Sequence, residues 1–442
     1  MEQIKNSIFV TNSIKMKRVV IVDGTRTPFV KSGTAYFDLM AYQLAETAIK
    51  GLLKKTKIDP KLVDTVIMGT VISQTRTSNV AREAALGAGI HFQTPCSTVT
   101  MACISANQAI SNGVEKIMSG QADIVIAGGT DSTSDSPIQF NKPMRKKLFM
   151  AQKLKTPMEF LKFATTLRLK DFNPDRPAVT EFKTGRTMGL DCDIMAKRFG
   201  IKRADQDAYA LRSHQLAAKA DKDGILDNEI TPVEIKGKKI SKDNGIKGDA
   251  KIEKLASLKP AFVKEEKGGT LTAANSSFLT DGASAVLLMS EDKAKELGLK
   301  PLAYIHSYVF TGCDINDELL LGIAYSVAAV LKRAKLTMND MDAIEFHEAF
   351  AGAALTNMAC LADEAFSKSN LGYDKAVGTV NVDKLNVHGG SLAIGHPFGA
   401  TGGRLITTLA NRLVRENGRY GILSACAAGG HGHAMILERY QN

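Results

Sequence analysis

Residues 97–129 read STVTMACISANQAISNGVEKIMSGQADIVIAGG. Ser97 to Met101 is short and partly β-branched, a strand pattern. From Ile104 to Ser119 the apolar residues Ala106, Ala109, Ile110 and Ile117 recur at helical spacing. Ile124 to Ala127 is continuously apolar and stops at Gly128-Gly129, as a strand buried on both faces does. Strand, helix and buried strand in direct succession form the unit of an α/β fold around a covered sheet. Cys103 falls at the junction of the first strand and the helix.

Outward from this unit the pattern repeats, breaks and resumes. Upstream, Lys17 to Asp23 predicts a strand with Thr25-Arg26-Thr27-Pro28 as its turn, Leu39 to Lys54 a helix, and Val63 to Met68 a second strand. Downstream, from about 141 to 267, the chain is polar, charged and mostly helical in pattern, an excursion from the sheet. Leu271 to Ser290 turns small and apolar again. After Pro301 strands are expected at Ala303–Tyr308, Ala343–Phe346, Gly421–Ala425 and Ala434–Glu438, with helices at Ala349–Cys360 and Gly402–Asn417. The two halves echo each other loosely, without a repeat of fixed period.

The chain's 442 residues suit two or three domains. No apolar run approaches the ~18 residues of a membrane-spanning helix. The first sixteen residues lack a signal-peptide core and any Arg, and are expected to be a short disordered tail. Six cysteines without a CxxC pair or zinc spacing exclude a disulfide framework and fit a reducing compartment. Of the net +11, a stretch from Asn141 to Lys170 with nine Lys/Arg and one acid carries +8. Such local charge points to an anionic surface or ligand. Within it Phe160, Leu161, Ala164 and Leu167 share one helical face, with Lys162, Thr166 and Arg168 elsewhere. The plain reading is a helix packed on the body. The sharper ones are a membrane-surface helix and a docking surface for a partner subunit. No aromatic-basic interleaving suggests nucleic acid.

Four residues look reactive. Cys103 precedes a helix, whose N-terminus is expected to lower its pKa and favour the thiolate. A buried structural thiol is the commoner fate of a cysteine. Asn386 to Gly403, NVHGGSLAIGHPFGATGG, holds six glycines in eighteen residues, which means tight turns and close backbone approach. It fixes His396, a candidate general base for a thiol. Cys426, in SACAAGGHG, follows an apolar strand, and the Gly-rich turn after it can aim N–H groups at an oxyanion. Alone it reads equally as a plain turn. His347, in EFHEAF, can polarise a carbonyl directly or through a water, or serve as a core histidine. Together they suggest acyl transfer through a thioester, with one Cys as nucleophile and the other as proton donor. His431 and His433 lack the accompanying ligands of a metal site.

NVHGGSLAIGHPFGATGGR, CAAGGHGHAMILE, TMACISANQAI and LTAANSSFLTDGASA resemble, in family order, the signature motifs of thiolases. The resemblance runs from about Arg18 to Glu438. His347-Glu348-Ala349-Phe350, where many thiolases have Asn-Glu-Ala-Phe, makes the chain most like the thiolase (β) subunits of fatty-acid β-oxidation trifunctional complexes and their bacterial counterparts.

The resemblance implies a thiolase fold. Two similar α/β halves, 17–139 with 270–296 and 301–442, would form a layered α-β-α-β-α core carrying an inserted, mostly helical loop domain, 140–269. It implies Cys103 as nucleophile, His396 as its base, and Cys426 as the acid that protonates the leaving enolate. His347 would orient a water in one oxyanion hole, the backbone N–H groups of Cys103 and Ala428 would form the other, and Ser277 would contact CoA. Ala428 and Phe278 stand where Gly is frequent.

CoA and 3-ketoacyl-CoA are then substrates, with no cofactor and no metal. A homodimer is implied, in complex with a hydratase/dehydrogenase α subunit, with peripheral membrane contact through residues 141–170. The location would be cytoplasmic or at the inner membrane in a bacterium, and mitochondrial in a eukaryote. Rivals are a biosynthetic acetoacetyl-CoA thiolase, a decarboxylating ketoacyl synthase (which would need a second His where Cys426 stands) and a silent CoA or lipid carrier.

Overall fold

The computed structural model describes residues 16–175 and 179–441. The expected N-terminal tail therefore lies almost wholly outside the described residues. The early strands are β1 (Val19–Arg26), β2 (Thr65–Gly69), β3 (Cys96–Val99), β4 (Ile124–Asp131) and β5 (Thr280–Ser290). The later ones are β6 (Ala303–Gly312), β7 (Met341–Phe346), β8 (Tyr420–Ala427) and β9 (His431–Arg439). They form one sheet in the order β7-β8-β9-β6-β1-β5-β4-β2-β3, and Val30–Lys31 adds a short strand beside β5. Pairing is parallel for β2 with β3 and β4, and for β7 with β8, and otherwise antiparallel. The early and late strands join through two residue pairs only, Val20–Tyr304 and Ile21–Ala303.

Every residue of β4 and β5 is buried, because helices cover both sides. On the outer side of the early strands, α1 (Ala41–Thr56) and α2 (Val80–Gly87) pack Leu44, Leu52 and Ala84 onto Val66, Ile126 and Leu287. In the middle, α3 (Ser105–Met118) shares one core with a late helix, Thr401–Arg415. Ile110 and Val114 meet Leu405 and Leu409 there, with strand residues from both halves. On the far side, α8 (Gly322–Ala334) and α9 (Ala351–Ala362) cover Ile344, Ile422 and Ile436. The late helix Thr401–Arg415 is α10, and the layers run α-β-α-β-α.

The middle of the chain is mostly helical, with α4 (Lys142–Ala151), α5 (Pro157–Thr166), α6 (Met188–Arg198) and α7 (Arg203–Lys222), plus two small two-stranded ribbons. α6 and α7 join the core under α9 through Cys192, Met195 and Ala210. α4 buries only Met144, and α5 buries nothing. The plain reading of α5 as a helix packed on the body is therefore not what this chain forms. Phe160 and Leu161 are 51% and 62% exposed.

The turn expected at Thr25-Arg26 is also corrected. β1 continues through Arg26, whose fully buried guanidinium donates to both carboxylate oxygens of Asp243 at 2.7 and 2.8 Å. A paired charge can lie in the interior, although from sequence it reads as a strand end.

Candidate active site

Cys103 lies in the turn from β3 into α3. Ala102 before it has φ +46°, a left-handed conformation that a residue with a Cβ adopts only under constraint. Ser105 Oγ supplies that constraint, accepting from Met101 N at 2.8 Å and donating to Ala102 O at 2.7 Å. The expected low thiol pKa is overturned. Burial pushes the Cys103 thiol up to about 12, only partly offset by the N–H groups of Ala428 and of Cys103 itself. The helix starts two residues later, at Ser105, and desolvation outweighs its dipole.

One small cavity is lined by Cys103, His396, Cys426, Ala428, Ser277 and Phe278 among others. These come from β3–α3, the Gly-rich loop, β8 and its following turn, and the segment before β5. His347 is not among its lining residues. It sits behind His396, with ring centroids 4.1 Å apart, and is 1% exposed.

The Gly-rich loop earns its glycines by approach. A Cβ on Gly129 at the end of β4 would lie 1.9 Å from Gly399 O, so the loop can rest on the early strands only because both residues lack side chains. Gly395, with φ +108°, turns the chain into His396. Thr401 Oγ1 lies 2.6 Å from His396 Nδ1, leaving Nε2 without a partner. Burial, then the nearby Arg404 charge, depress the imidazole pKa to about 3, so the ring is neutral and able to accept a proton. His347 Nδ1 lies 3.0 Å from Ser391 Oγ, and its Nε2 is likewise unpartnered. Cys426 is buried and its pKa is strongly raised by desolvation and then by Cys103, which keeps it a thiol and a proton donor.

Three supports are missing from the sequence reading. Asp131, at the end of β4, accepts from Val71 N, Ile72 N and Thr70 Oγ1, and from Gly399 N at 2.6 Å. It clamps the His396 loop, and burial raises its pKa to about 6. Glu181, from the middle region, accepts from Gly429 N at 2.9 Å and so pins the turn that carries the Ala428 N–H. Thr401 lay inside the quoted motif. Asp131 and Glu181 are joined to their partners only by the fold.

Two larger cavities adjoin. One of about 710 Å³ shares Cys103 and Ala428 and is walled by apolar Val71, Ile72, Pro137 and Ile138. The other, about 410 Å³, shares Phe278 and presents Lys31, Lys247, Lys254 and His214. Among the described residues no group of three or more His, Cys, Asp and Glu is placed to hold a metal. Nor is any helix among them long and apolar enough to cross a membrane.

The sequence matches the thiolase N-terminal domain over residues 19–292 and the thiolase C-terminal domain over 299–439. The chain belongs to the thiolase family. This thiolase is 51% identical to the trifunctional enzyme subunit beta, mitochondrial, of Rattus norvegicus, across 96% of this chain and 89% of that one. It is 45% identical to a 3-ketoacyl-CoA thiolase of Photobacterium profundum, across 96% and 97%. Its fold is that of the human mitochondrial 3-ketoacyl-CoA thiolase solved in complex with CoA, with TM-score 0.82, 32% identity and coverage of 96% and 99%. An acetyl-CoA acetyltransferase of Bacillus anthracis aligns with TM-score 0.81 and 32% identity, across 96% and 100%.

Proposed function

We propose that this thiolase is the acetyl-CoA C-acyltransferase of fatty-acid β-oxidation, cleaving 3-ketoacyl-CoA with CoA into acetyl-CoA and an acyl-CoA shortened by two carbons. The observation that carries the reading is the single cavity shared by Cys103, His396 and Cys426. The names of the relatives support it.

His396 accepts the Cys103 proton as the sulfur adds to the 3-keto carbon. The resulting oxyanion is stabilised by fixed donors in a site screened from water. The C2–C3 bond then breaks. Its electron pair goes to the acetyl-CoA enolate, which takes a proton from Cys426. The thiol of incoming CoA gives its proton to the Cys426 thiolate and attacks the Cys103 thioester; acyl-CoA leaves and the Cys103 sulfur takes back the proton held by His396, giving ping-pong kinetics. The N–H groups of Cys103 and Ala428 serve one oxyanion, and a water oriented by His347 serves the other.

No resident cofactor is needed, since CoA is a substrate. Ser277 and the lysine-bearing cavity suit its polyanionic end, and the apolar cavity suits an acyl chain longer than four carbons. A biosynthetic acetoacetyl-CoA thiolase has no use for that apolar space. The halves at 17–139 with 270–296 and at 301–442 flank the loop domain 140–269.

The enzyme acts as a homodimer with a hydratase/dehydrogenase α subunit, in the bacterial cytoplasm or the mitochondrion, and touches anionic membrane through residues 141–170. Exposed Phe149, Met150, Phe160 and Leu161 beside the lysines support that contact.

Thiolysis of 3-ketoacyl-CoA from four to sixteen carbons tests the reaction. Medium and long chains should be cleaved, and Cys103→Ala should abolish cleavage at every length. Activity confined to four carbons would favour the biosynthetic enzyme, and retained activity in the variant would remove Cys103 as nucleophile.

A further inference from the structure

A neutral imidazole has one proton and two nitrogens, and only the protonated nitrogen donates. His347 can donate toward an oxyanion, through the water it orients, only if that proton is on Nε2, the unpartnered nitrogen. On its other side, Nδ1 faces Ser391 Oγ at 3.0 Å, and the same oxygen lies 3.3 Å from Arg404 Nη2. We propose that Ser391 and Arg404 are positioning residues, a relay that holds His347 as the neutral tautomer with its proton on Nε2. This rests on the assignment of His347 to an oxyanion hole.

A guanidinium has donors and no acceptor. Ser391 Oγ therefore accepts from Arg404, and because it bonds no other acceptor among the described residues, its single hydrogen is left to donate to Nδ1. Nδ1 must then be the lone-pair nitrogen. Arg404 makes its side-chain hydrogen bond through Nη2 to Ser391, while its Nε and Nη1 find no hydrogen-bond partner among the described residues. It is 1% exposed on α10, with Nη1 3.6 Å from Glu345 Oε2, while Arg412 donates to Oε1 of the same carboxylate at 2.8 Å. The cation also resists protonation of His347, whose pKa burial, His396 and Arg404 together hold far below the ordinary histidine value.

His396 differs in a telling way. Its Nδ1 partner, Thr401 Oγ1, receives no guanidinium among the described residues. The threonine hydroxyl can both donate and accept, so His396 can shift its proton as a base must. The two imidazoles touch, yet one is set as a fixed donor and the other is left free to switch.

Long-range ¹H–¹⁵N spectra of histidine-labelled, full-length wild-type enzyme read the tautomer directly. His347 should show a protonated Nε2 and a lone-pair Nδ1, and a protonated Nδ1 would overturn the relay. In Ser391→Ala, a change of one buried oxygen, the Nε2–H form should no longer be exclusive. The kcat of thiolysis should fall at least about tenfold with KM nearly unchanged, and the thermal midpoint reports folding alongside. Unchanged kcat, or an equal loss from Ser391→Ala in a His347→Ala background, would overturn it. Full activity of His347→Ala alone would instead remove His347 from the oxyanion hole, while the wild-type spectra would still decide the tautomer.

Discussion

At the residue scale the resting site is an uncharged pair. Burial holds the Cys103 thiol at about 12 and His396 at about 3, so at neutral pH neither a thiolate nor an imidazolium accumulates. Charge forms only as substrate arrives and the Ala428 and Cys103 N–H groups find an oxyanion to stabilise. This arrangement protects the thiol from oxidation and alkylation, which need the thiolate. Iodoacetamide labelling of Cys103, followed by peptide mass spectrometry, should therefore accelerate about tenfold per pH unit from pH 7 to 9. A plateau within that range would mean a thiolate is already present. The expectation of a low pKa failed for a physical reason. The strand-to-helix position of Cys103 is visible locally, but its desolvation comes from residues as distant in sequence as Cys426 and His396.

At the scale of elements, the strands and helices that position the site were readable because their apolar runs and helical periodicity are local. α3, α10 and β8 lie within a few residues of where the sequence put them. The supports were not readable, since Asp131 and Glu181 bind backbone N–H groups, which every residue but proline carries. Asp131 ties the ends of β2 and β4 to the loop bearing His396. Asp131→Asn keeps one acceptor oxygen and turns an amide donor toward N–H groups that also donate. It should lower stability by about 2 kcal/mol, read from urea unfolding, and lower kcat more than it raises KM. Because the native carboxyl has a pKa of about 6, wild-type kcat should decline as pH falls below 6. In Asp131→Asn that particular decline should be missing. Identical acid limbs in both proteins would show that Asp131 does not set it.

At the scale of the whole molecule, the interior holds an unusual load of neutral histidine. His214, His347, His388, His396 and His433 are all buried, and burial depresses the pKa of each below the ordinary 6.5. Below pH 6.5 the unfolded chain therefore binds more protons than the native one, and stability falls with pH by roughly 1.4 kcal/mol per unit for each such group. Asp131, Asp135, Asp191, Glu229 and Glu345, whose pKa values burial raises, work in the opposite sense, and of these the Asp131 shift, to about 6, is the large one. Net stability by urea unfolding should drop by about 2 kcal/mol or more between pH 6.5 and 5, and a flat profile would contradict the burial of these rings.

The surface carries the complementary anomaly, because α4 and α5 concentrate both cations and exposed apolar side chains. A lone apolar patch would favour a protein partner. Lysines interleaved with Phe149, Phe160 and Leu161 suit an interface of anionic headgroups above acyl chains. Lys147 is committed to Asp171 at 2.6 Å, whereas Lys146, Lys153, Lys155 and Lys162 are among the exposed cations available to an anionic surface. Neutralising those four should abolish flotation with vesicles of phosphatidylcholine and phosphatidylglycerol while thiolysis of soluble substrate continues. Wild-type binding should also weaken as salt rises, since exposed charges are screened within about 10 Å at 0.1 M. Equal flotation of variant and wild type, or equal binding to pure phosphatidylcholine, would show that these lysines do not recognise the anionic surface.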